Sequence, residues 1–258
     1  MKLENRVSVI TGGGHGIGRT IALRFVKQGA AVVIAGPTRE TIESAAREVR
    51  DLGGRALPVL TDVSNEAEVE RMVTACLTEF GRLDILVNNA GIAGPTALAV
   101  KVDRSDWDRT IAINLTGAFL CAKHGLPHMM ERRSGRIINI ASVAGLHAYA
   151  LRSPYSTSKW GMIGLSKTLA EEAGPYDITV NTIAPGPIKG PRIDMVIRNR
   201  AQGLGRSVEE VEREYVEPSA LKRMAEEEDI AALAEFLASD DARNLTGQTI
   251  EVSAGYRL

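Results

Sequence analysis

The stretch Val7-Ser8-Val9-Ile10-Thr11-Gly12-Gly13-Gly14-His15-Gly16-Ile17-Gly18 decides how this 258-residue chain is read. A short apolar run passes into a glycine-rich turn, and from Arg19 to Gln28 the apolar residues recur with helical spacing, so the order is strand, turn, helix. Glycines at such a turn let the backbone approach a pyrophosphate, and the free N–H groups opening the following helix attract the anion. The same residues also make ordinary tight turns, so the rest of the chain must supply the context.

Working outward, Ala31 to Ala35 reads as the second strand. An acidic residue at its end would grip the ribose hydroxyls of NAD. The chain instead has Gly36-Pro37-Thr38-Arg39. With no carboxylate to repel a 2′-phosphate, and a hydroxyl and guanidinium suited to one, NADP(H) is favoured over NAD(H). The competing reading is that Thr38 caps the next helix and Arg39 is solvated.

The spacing predicts a helix from about Arg39 to Leu52, a strand over Ala56 to Leu60 followed by Asp62-Val63, a helix over Glu66 to Phe80 and a strand over Leu83 to Val87. That fourth strand ends in Asn88-Asn89-Ala90-Gly91, where ligands bind in open parallel sheets. Asp62 suits an adenine amine or a turn cap. A long helical segment from about Ser105 to Met130 carries Asn114 among apolar residues, where a buried amide needs partners.

A fifth strand, Arg136 to Ala141, ends at Ser142. After a loop with His147 and Tyr149 comes a helix with Pro154 in its first turn, bearing Tyr155 and Lys159. Residues four apart lie on one helix face, and a neighbouring cation favours a phenolate, which makes Tyr155 a candidate proton shuttle. Ile178 to Ile183 leads to Pro185-Gly186-Pro187. A polar stretch with weak periodicity, 188–220, is expected to form a substrate lid. A last helix, Glu227 to Ala238, and a strand over Gly247 to Val252 complete a single-domain Rossmann-type doubly wound parallel sheet of about seven strands, with helices on both faces.

The charge balance, 31 basic against 32 acidic residues, gives no field for nucleic acid or an anionic membrane surface. The charged start, Met1 to Arg6, is unlike a secretory signal, and no apolar run reaches the ~18 residues of a membrane span. A soluble, cytoplasmic protein is expected. Cys76 and Cys121 sit in apolar helical patterns without metal-ligand spacing and read as buried free thiols, with no metal site.

Taken together, the glycine turn, Asn88 to Gly91, Asn114, Ser142, Tyr155 with Lys159, and Pro185-Gly186 resemble the short-chain dehydrogenase/reductase family over essentially the whole chain, including its alcohol dehydrogenases and 3-oxoacyl reductase-like members. The resemblance implies hydride transfer between NAD(P) and a small-molecule alcohol or carbonyl. It implies Tyr155 as acid-base residue, Ser142 orienting the substrate oxygen, Lys159 lowering the phenol pKa and holding the nicotinamide ribose, and Asn114 maintaining a water relay. The candidate cofactor residues are Gly12, Gly14, His15, Gly16, Ile17, Gly18, Thr38, Arg39, Asp62, Val63, Asn89, Ala90, Gly91, Tyr155, Lys159, Pro185, Gly186 and Ile188. For substrate, Ser142, Tyr155, His147, Tyr149, Leu151 and Met195 are candidates. The lid arginines 192, 198, 200 and 206 either meet an anionic substrate or form a solvated face. A homotetramer pairing the helices at 105–130 and 153–174 is also implied.

Two departures stand out. Relatives often carry Thr after Pro-Gly, where this chain has Pro187-Ile188-Lys189-Gly190. The last strand usually ends in Asp-Gly-Gly and here reads Val252-Ser253-Ala254-Gly255-Tyr256. The rival readings are a non-catalytic dinucleotide-binding regulatory or scaffold protein and, more weakly, a dehydratase or epimerase.

Overall fold

The computed structural model describes residues 1–257. Seven strands, β1 (Val7–Thr11), β2 (Ala31–Gly36), β3 (Ala56–Leu60), β4 (Ile85–Asn88), β5 (Gly135–Ile140), β6 (Ile178–Pro185) and β7 (Thr249–Val252), form one sheet in the order β3-β2-β1-β4-β5-β6-β7. All six pairings are parallel. Alternate side chains of each strand serve opposite faces. In β2, Val32 and Ile34 pack with α1 (Gly16–Lys27), α2 (Arg39–Asp51) and α9 (Glu227–Ala238), through Ile21, Phe25, Val49 and Leu237. Val33 and Ala35 point the other way, to α3 (Glu66–Phe80), α5 (Gly117–Arg132) and α6 (Ser153–Ala173), through Met72, Cys76, Leu120, Met129 and Leu169. Each large apolar side chain fully buried this way stabilises by ~1.5–3 kcal/mol.

The chain moves outward from β1 to β3, then crosses back to β4 on the other side of β1. This reversal opens a crevice at the carboxyl ends of β1 and β4, the place where such sheets bind ligands.

The remaining helices are α4 (Arg104–Ile111), α7 (Pro191–Leu204) and α8 (Val208–Val216). Three expectations need correction. The first helix begins at Gly16, not Arg19: Gly16, at φ +57°, opens its first turn, and Gly18 in that turn lies too close to Asn89 and the Gly12 carbonyl for any side chain. The segment read as one helix from Ser105 to Met130 is α4 and α5 joined by a π-type turn, Ala112–Thr116, which contains Asn114. The polar stretch 188–220 is more ordered than its weak periodicity suggests. Two short helices enclose a small cluster of Ile197, Ala201, Val211 and Tyr215, capped by Tyr149 from another loop. So few apolar positions are needed there that the pattern barely registers. Among the described residues no helix is long and apolar enough to cross a membrane. Cys76 and Cys121 are free and buried, and burial pushes both thiols up to about 12.

Candidate active site

The turn after β1 is held by a few polar contacts. Thr11 Oγ1 accepts from the Asn89 and Ala90 amides at 3.0 and 3.1 Å, and Asn89 Nδ2 donates to the Thr11 and Gly12 carbonyls at 2.9 and 3.1 Å. A Cβ on Gly18 would lie 2.4 Å from Asn89 Nδ2 and from the Gly12 carbonyl, and Gly12 itself has φ +63°. Glycine is required at both positions. At the start of α1, His15 is the N-cap but its side chain caps nothing, and no acidic residue lies in the first turn. The helix therefore presents unsatisfied N–H groups and a positive dipole end to the crevice.

A cavity of about 940 Å³ runs along the carboxyl ends of the strands. Its wall includes Gly12, His15, Gly16, Ile17, Asp62, Val63, Asn89, Ala90, Gly91, Pro185, Gly186 and Ile188, and also Ser142, Tyr149, Tyr155, Lys159 and Met195. This glycine cradle, with free helix amides and a cavity of that size, fits a dinucleotide. Other candidates fall outside the wall. Gly14 backs onto Thr41 and Gly18 onto Asn89. Thr38 and Arg39 are exposed beyond Gly36 and Pro37, and Arg39 Nη1 lies 3.5 Å from Glu43 Oε1. Thr38 is the N-cap of α2, without a side-chain capping bond. Asp62 Oδ1 accepts from the Ser64 amide and hydroxyl at 2.9 and 2.7 Å, so it does cap a turn. His147 and Leu151 also lie off the wall.

Tyr155 and Lys159 share a face of α6, as their spacing requires. Lys159 Nζ donates to the Ile140 carbonyl at 2.8 Å and lies 5.7 Å from the centroid of the Tyr155 ring. Asn114 does not touch the cavity. Its Oδ1 accepts from the Ile92 amide at 2.8 Å, while Nδ2 donates to the Ile92 carbonyl at 3.0 Å and to Ser158 Oγ at 3.1 Å. Ser158 Oγ donates in turn to the Tyr155 carbonyl at 2.7 Å. The π-type turn thus lets Asn114 join the loop after β4 to α6 beneath the tyrosine. Ser142, following β5, accepts from the Ala144 amide at 3.2 Å through Oγ.

Burial pushes the Tyr155 phenol up, but Lys159, Arg192, the Ser142 hydroxyl and Arg152 together outweigh it and hold the phenol below its ordinary value. Burial lowers Lys159 to about 8, against the phenolate's attraction and with the help of Arg192. Both groups are thus shifted below their ordinary values, and because each charge acts on the other their proton losses are coupled.

Sequence reasoning missed Arg152, which lines the cavity and stands over the Tyr155 ring with Cζ 5.0 Å from its centroid. An arginine three positions before the tyrosine was the available signal. Of the four lid arginines, only Arg192 lines the cavity. Arg200 and Arg206 pair with Glu214, and Arg198 is exposed. Glu227 at the start of α9, whose Oε2 accepts from Thr20 Oγ1 at 2.9 Å, was also missed. Among the described residues there is no group of three or more His, Cys, Asp or Glu placed to hold a metal.

Residues 6–202 match the family model described as short chain dehydrogenase. The chain is 41% identical over 258 residues to (2S)-((R)-hydroxy(phenyl)methyl)succinyl-CoA dehydrogenase subunit BbsD of Thauera aromatica, covering 100% of this chain and 99% of that one. It is 34% identical to the 3-oxoacyl-acyl-carrier-protein reductase FabG of Thermotoga maritima, covering 99% of both. The crystal structure of an NAD+-bound xylitol dehydrogenase superposes with a TM-score of 0.96 at 31% identity, covering 99% of this chain and 100% of that one.

Proposed function

This chain belongs to the short-chain dehydrogenase family, an NAD(P)-dependent oxidoreductase family, and we propose that it interconverts a secondary alcohol and a ketone with Tyr155 as the acid-base residue. One observation carries this reading: Tyr155, Ser142 and Lys159 line one cavity, and nearby cations overcome the burial of the phenol. Alcohol oxidation removes a proton from oxygen as hydride leaves carbon, and one group must hold that proton in both directions. A phenol held below its ordinary pKa gives up and regains that proton more readily than a free one. The Ser142 hydroxyl orients the substrate oxygen and stabilises charge developing on it. Bound nicotinamide supplies the hydride acceptor or donor. Lys159 tunes the phenol and holds the ribose, while Gly12, His15, Gly16 and Ile17 receive the pyrophosphate. In place of the missing threonine, backbone groups around Ile188 hold the carboxamide. Asn114 Oδ1 accepts from the Ile92 amide, and the oxygen's second lone pair suits a bridging water in a proton relay.

The test is Tyr155→Phe, which should bind cofactor normally and lose about 10²–10⁴ in kcat. Substantial remaining turnover would sink the assignment. A non-catalytic binding protein is the rival, and the absence of any Tyr155-dependent, cofactor-linked absorbance change across alcohol and ketone panels would favour it.

NADP(H) is the favoured cofactor, with NAD(H) accepted. No carboxylate lines the cavity at the end of β2, and the exposed Arg39–Glu43 pair is weak enough to release the guanidinium to a 2′-phosphate. Arg39→Ala should weaken NADPH binding about tenfold and leave NADH binding unchanged. Equal loss for both, or a wild-type preference for NADH, overturns the choice. Residues 188–220 serve as the lid of a single catalytic domain, since α7 brings Arg192, Ile193, Met195 and Val196 to the cavity. The protein is read as cytoplasmic and homotetrameric, pairing α4–α5 and α6, where Phe119 and Trp160 are 46% and 53% exposed. Elution as a monomer would contradict the tetramer.

A further inference from the structure

Arg152 is the N-cap residue of α6, and it is only 5% exposed. A guanidinium has five N–H donors. Here Nη2 donates to the Ala93 carbonyl at 2.8 Å, Nη1 reaches Thr96 Oγ1 at a long 3.4 Å, and buried Nε has no partner. No carboxylate faces it. The charged or titratable groups around it are Tyr155, Tyr215, Tyr149 and a second cation, Arg192, and burial holds its pKa below the ordinary arginine value. Neither buried Arg152 nor the more exposed Arg192 takes part in any ion pair among the described residues, whereas buried Asp84 is matched by Arg82 and Arg132, and buried Glu235 by Arg24.

A buried cation without a counter-charge is costly, and an anion brought by a ligand removes the cost. The cofactor's pyrophosphate does not answer, because the glycine turn and the α1 amides receive it. Arg152 instead sits beside Tyr155, where Val143, Tyr149, Ile193, Met195 and Val196 complete the wall. That part of the cavity combines one anion-seeking fork with an apolar surround.

We propose that Arg152, with Arg192 reaching in from α7, binds a carboxylate on the substrate, so that the enzyme acts on a ketone or secondary alcohol that joins an apolar body to a carboxylate. The planar fork of arginine matches a carboxylate in two parallel hydrogen bonds. This inference rests on the oxidoreductase reading above and adds the charge of the substrate. Its structural rival is that Arg152 only pins the Ala93–Thr96 loop.

The test compares 4-oxocyclohexanecarboxylate with its methyl ester, and 4-oxo-4-phenylbutanoate with its methyl ester, using the enzyme saturated with NADPH or NADH. Wild type should prefer each acid by about tenfold or more in kcat/KM. Arg152→Gln should bring the acid-to-ester ratio towards one through KM of the acid. Arg152→Lys should keep part of the preference, and Arg192→Gln should reduce it by a smaller factor. Equal use of acid and ester by wild type overturns the proposal, as does an Arg152→Gln variant that loses acid and ester by the same factor. So does reduction of neutral ketones with neither keto acid accepted, although the oxidoreductase reading then stands. Calorimetric titration of the cofactor-bound protein with cyclohexanecarboxylate and cyclohexanecarboxamide reads the site without turnover and without the Arg152 variants. Selective binding of the carboxylate supports the anion site even if Tyr155-dependent turnover is missing and the reaction assignment falls. Equal binding of the two, or none, overturns it.

Discussion

The two ends of the sheet handle buried charge in opposite ways. At the amino ends, fully buried Asp84 accepts from the Val7 amide at 2.8 Å, from Arg82 Nε and Nη2 at 2.7 Å each, and from Arg132 Nη2 at 3.1 Å. Four donors tie the start of β1 to the start of β4 and to α5, and they occupy the carboxylate's main acceptor directions. At the carboxyl ends, Arg152 and Lys159 are nearly as buried, yet no carboxylate meets them, and a phenol shares their space. A saturated charge resists removal and does no chemistry. An unsaturated one costs stability and stays available to a ligand. The sheet is thus fastened at one end and kept reactive at the other.

The largest expected effects break this comparison most directly. Tyr155→Phe should cost about 10²–10⁴ in kcat and shift the unfolding midpoint little. Asp84→Ala should do the reverse, destabilising the fold by about 2–3 kcal/mol, because the Val7 amide is left unmet and the partly exposed Arg82 and Arg132 lose their partner. The folded fraction of that variant should keep wild-type KM for cofactor. Denaturant unfolding and steady-state kinetics on both variants check the pair. If Asp84→Ala costs less than about 1 kcal/mol, or if Tyr155→Phe unfolds the protein, the division fails.

A smaller contrast lies in pH dependence. Burial pushes the Asp84 carboxyl up, but the hydrogen bonds from Arg82 and the Val7 amide and the charges of Arg82 and Arg132 more than reverse this, so its folded pKa lies below the unfolded value of ~3.9. A depressed carboxylate gives stability that is complete above the unfolded pKa and is lost as pH falls through the folded one. Unfolding free energies of wild type and Asp84→Asn should therefore converge below about pH 4. At the other end, Tyr155 is lowered and Lys159 stands at about 8, so alcohol oxidation should rise with pH and level off below the free-phenol value of ~10. A kcat/KM profile whose inflection lies at or above 10 would contradict the tuned phenol.

Much of the carboxyl end was legible because backbone constraints write themselves into residue type. Gly12 and Gly18 tolerate no Cβ, Tyr155 and Lys159 share a helix face by their spacing, and the apolar runs of β1, β2 and β6 are buried on both faces. Partnerships between distant segments were not legible. Nothing in the run Gly81-Arg82-Leu83-Asp84 says that Asp84 meets Arg132, 48 residues on. Arg152 looked like any loop arginine, because its meaning lies in the absence of a counter-charge, and an absence is visible only in three dimensions. The π-type turn at Asn114 was hidden for a related reason. It is a shift in hydrogen-bond register with almost no compositional signature.

The smallest prediction concerns strain at the reactive end. Ala254 has φ +55°, in the left-handed region that costs a residue with a Cβ about 1 kcal/mol. It is held there because its carbonyl accepts from the Leu221 amide at 3.1 Å and the next carbonyl accepts from Ala220 at 3.0 Å. These contacts draw the tail against the lid segment and bury Tyr256, whose ring carries the Arg257 guanidinium at 5.2 Å. Ala254→Gly removes the steric cost but gives the unfolded chain more freedom, worth about 0.4–1 kcal/mol in the other direction. The net should be a stabilisation of a few tenths of a kcal/mol, a rise of about 1 °C in Tm, with kcat/KM unchanged. A clear fall in Tm would mean that the surrounding bonds, rather than the residue, determine this conformation. The tail would then belong with the fastened part of the molecule.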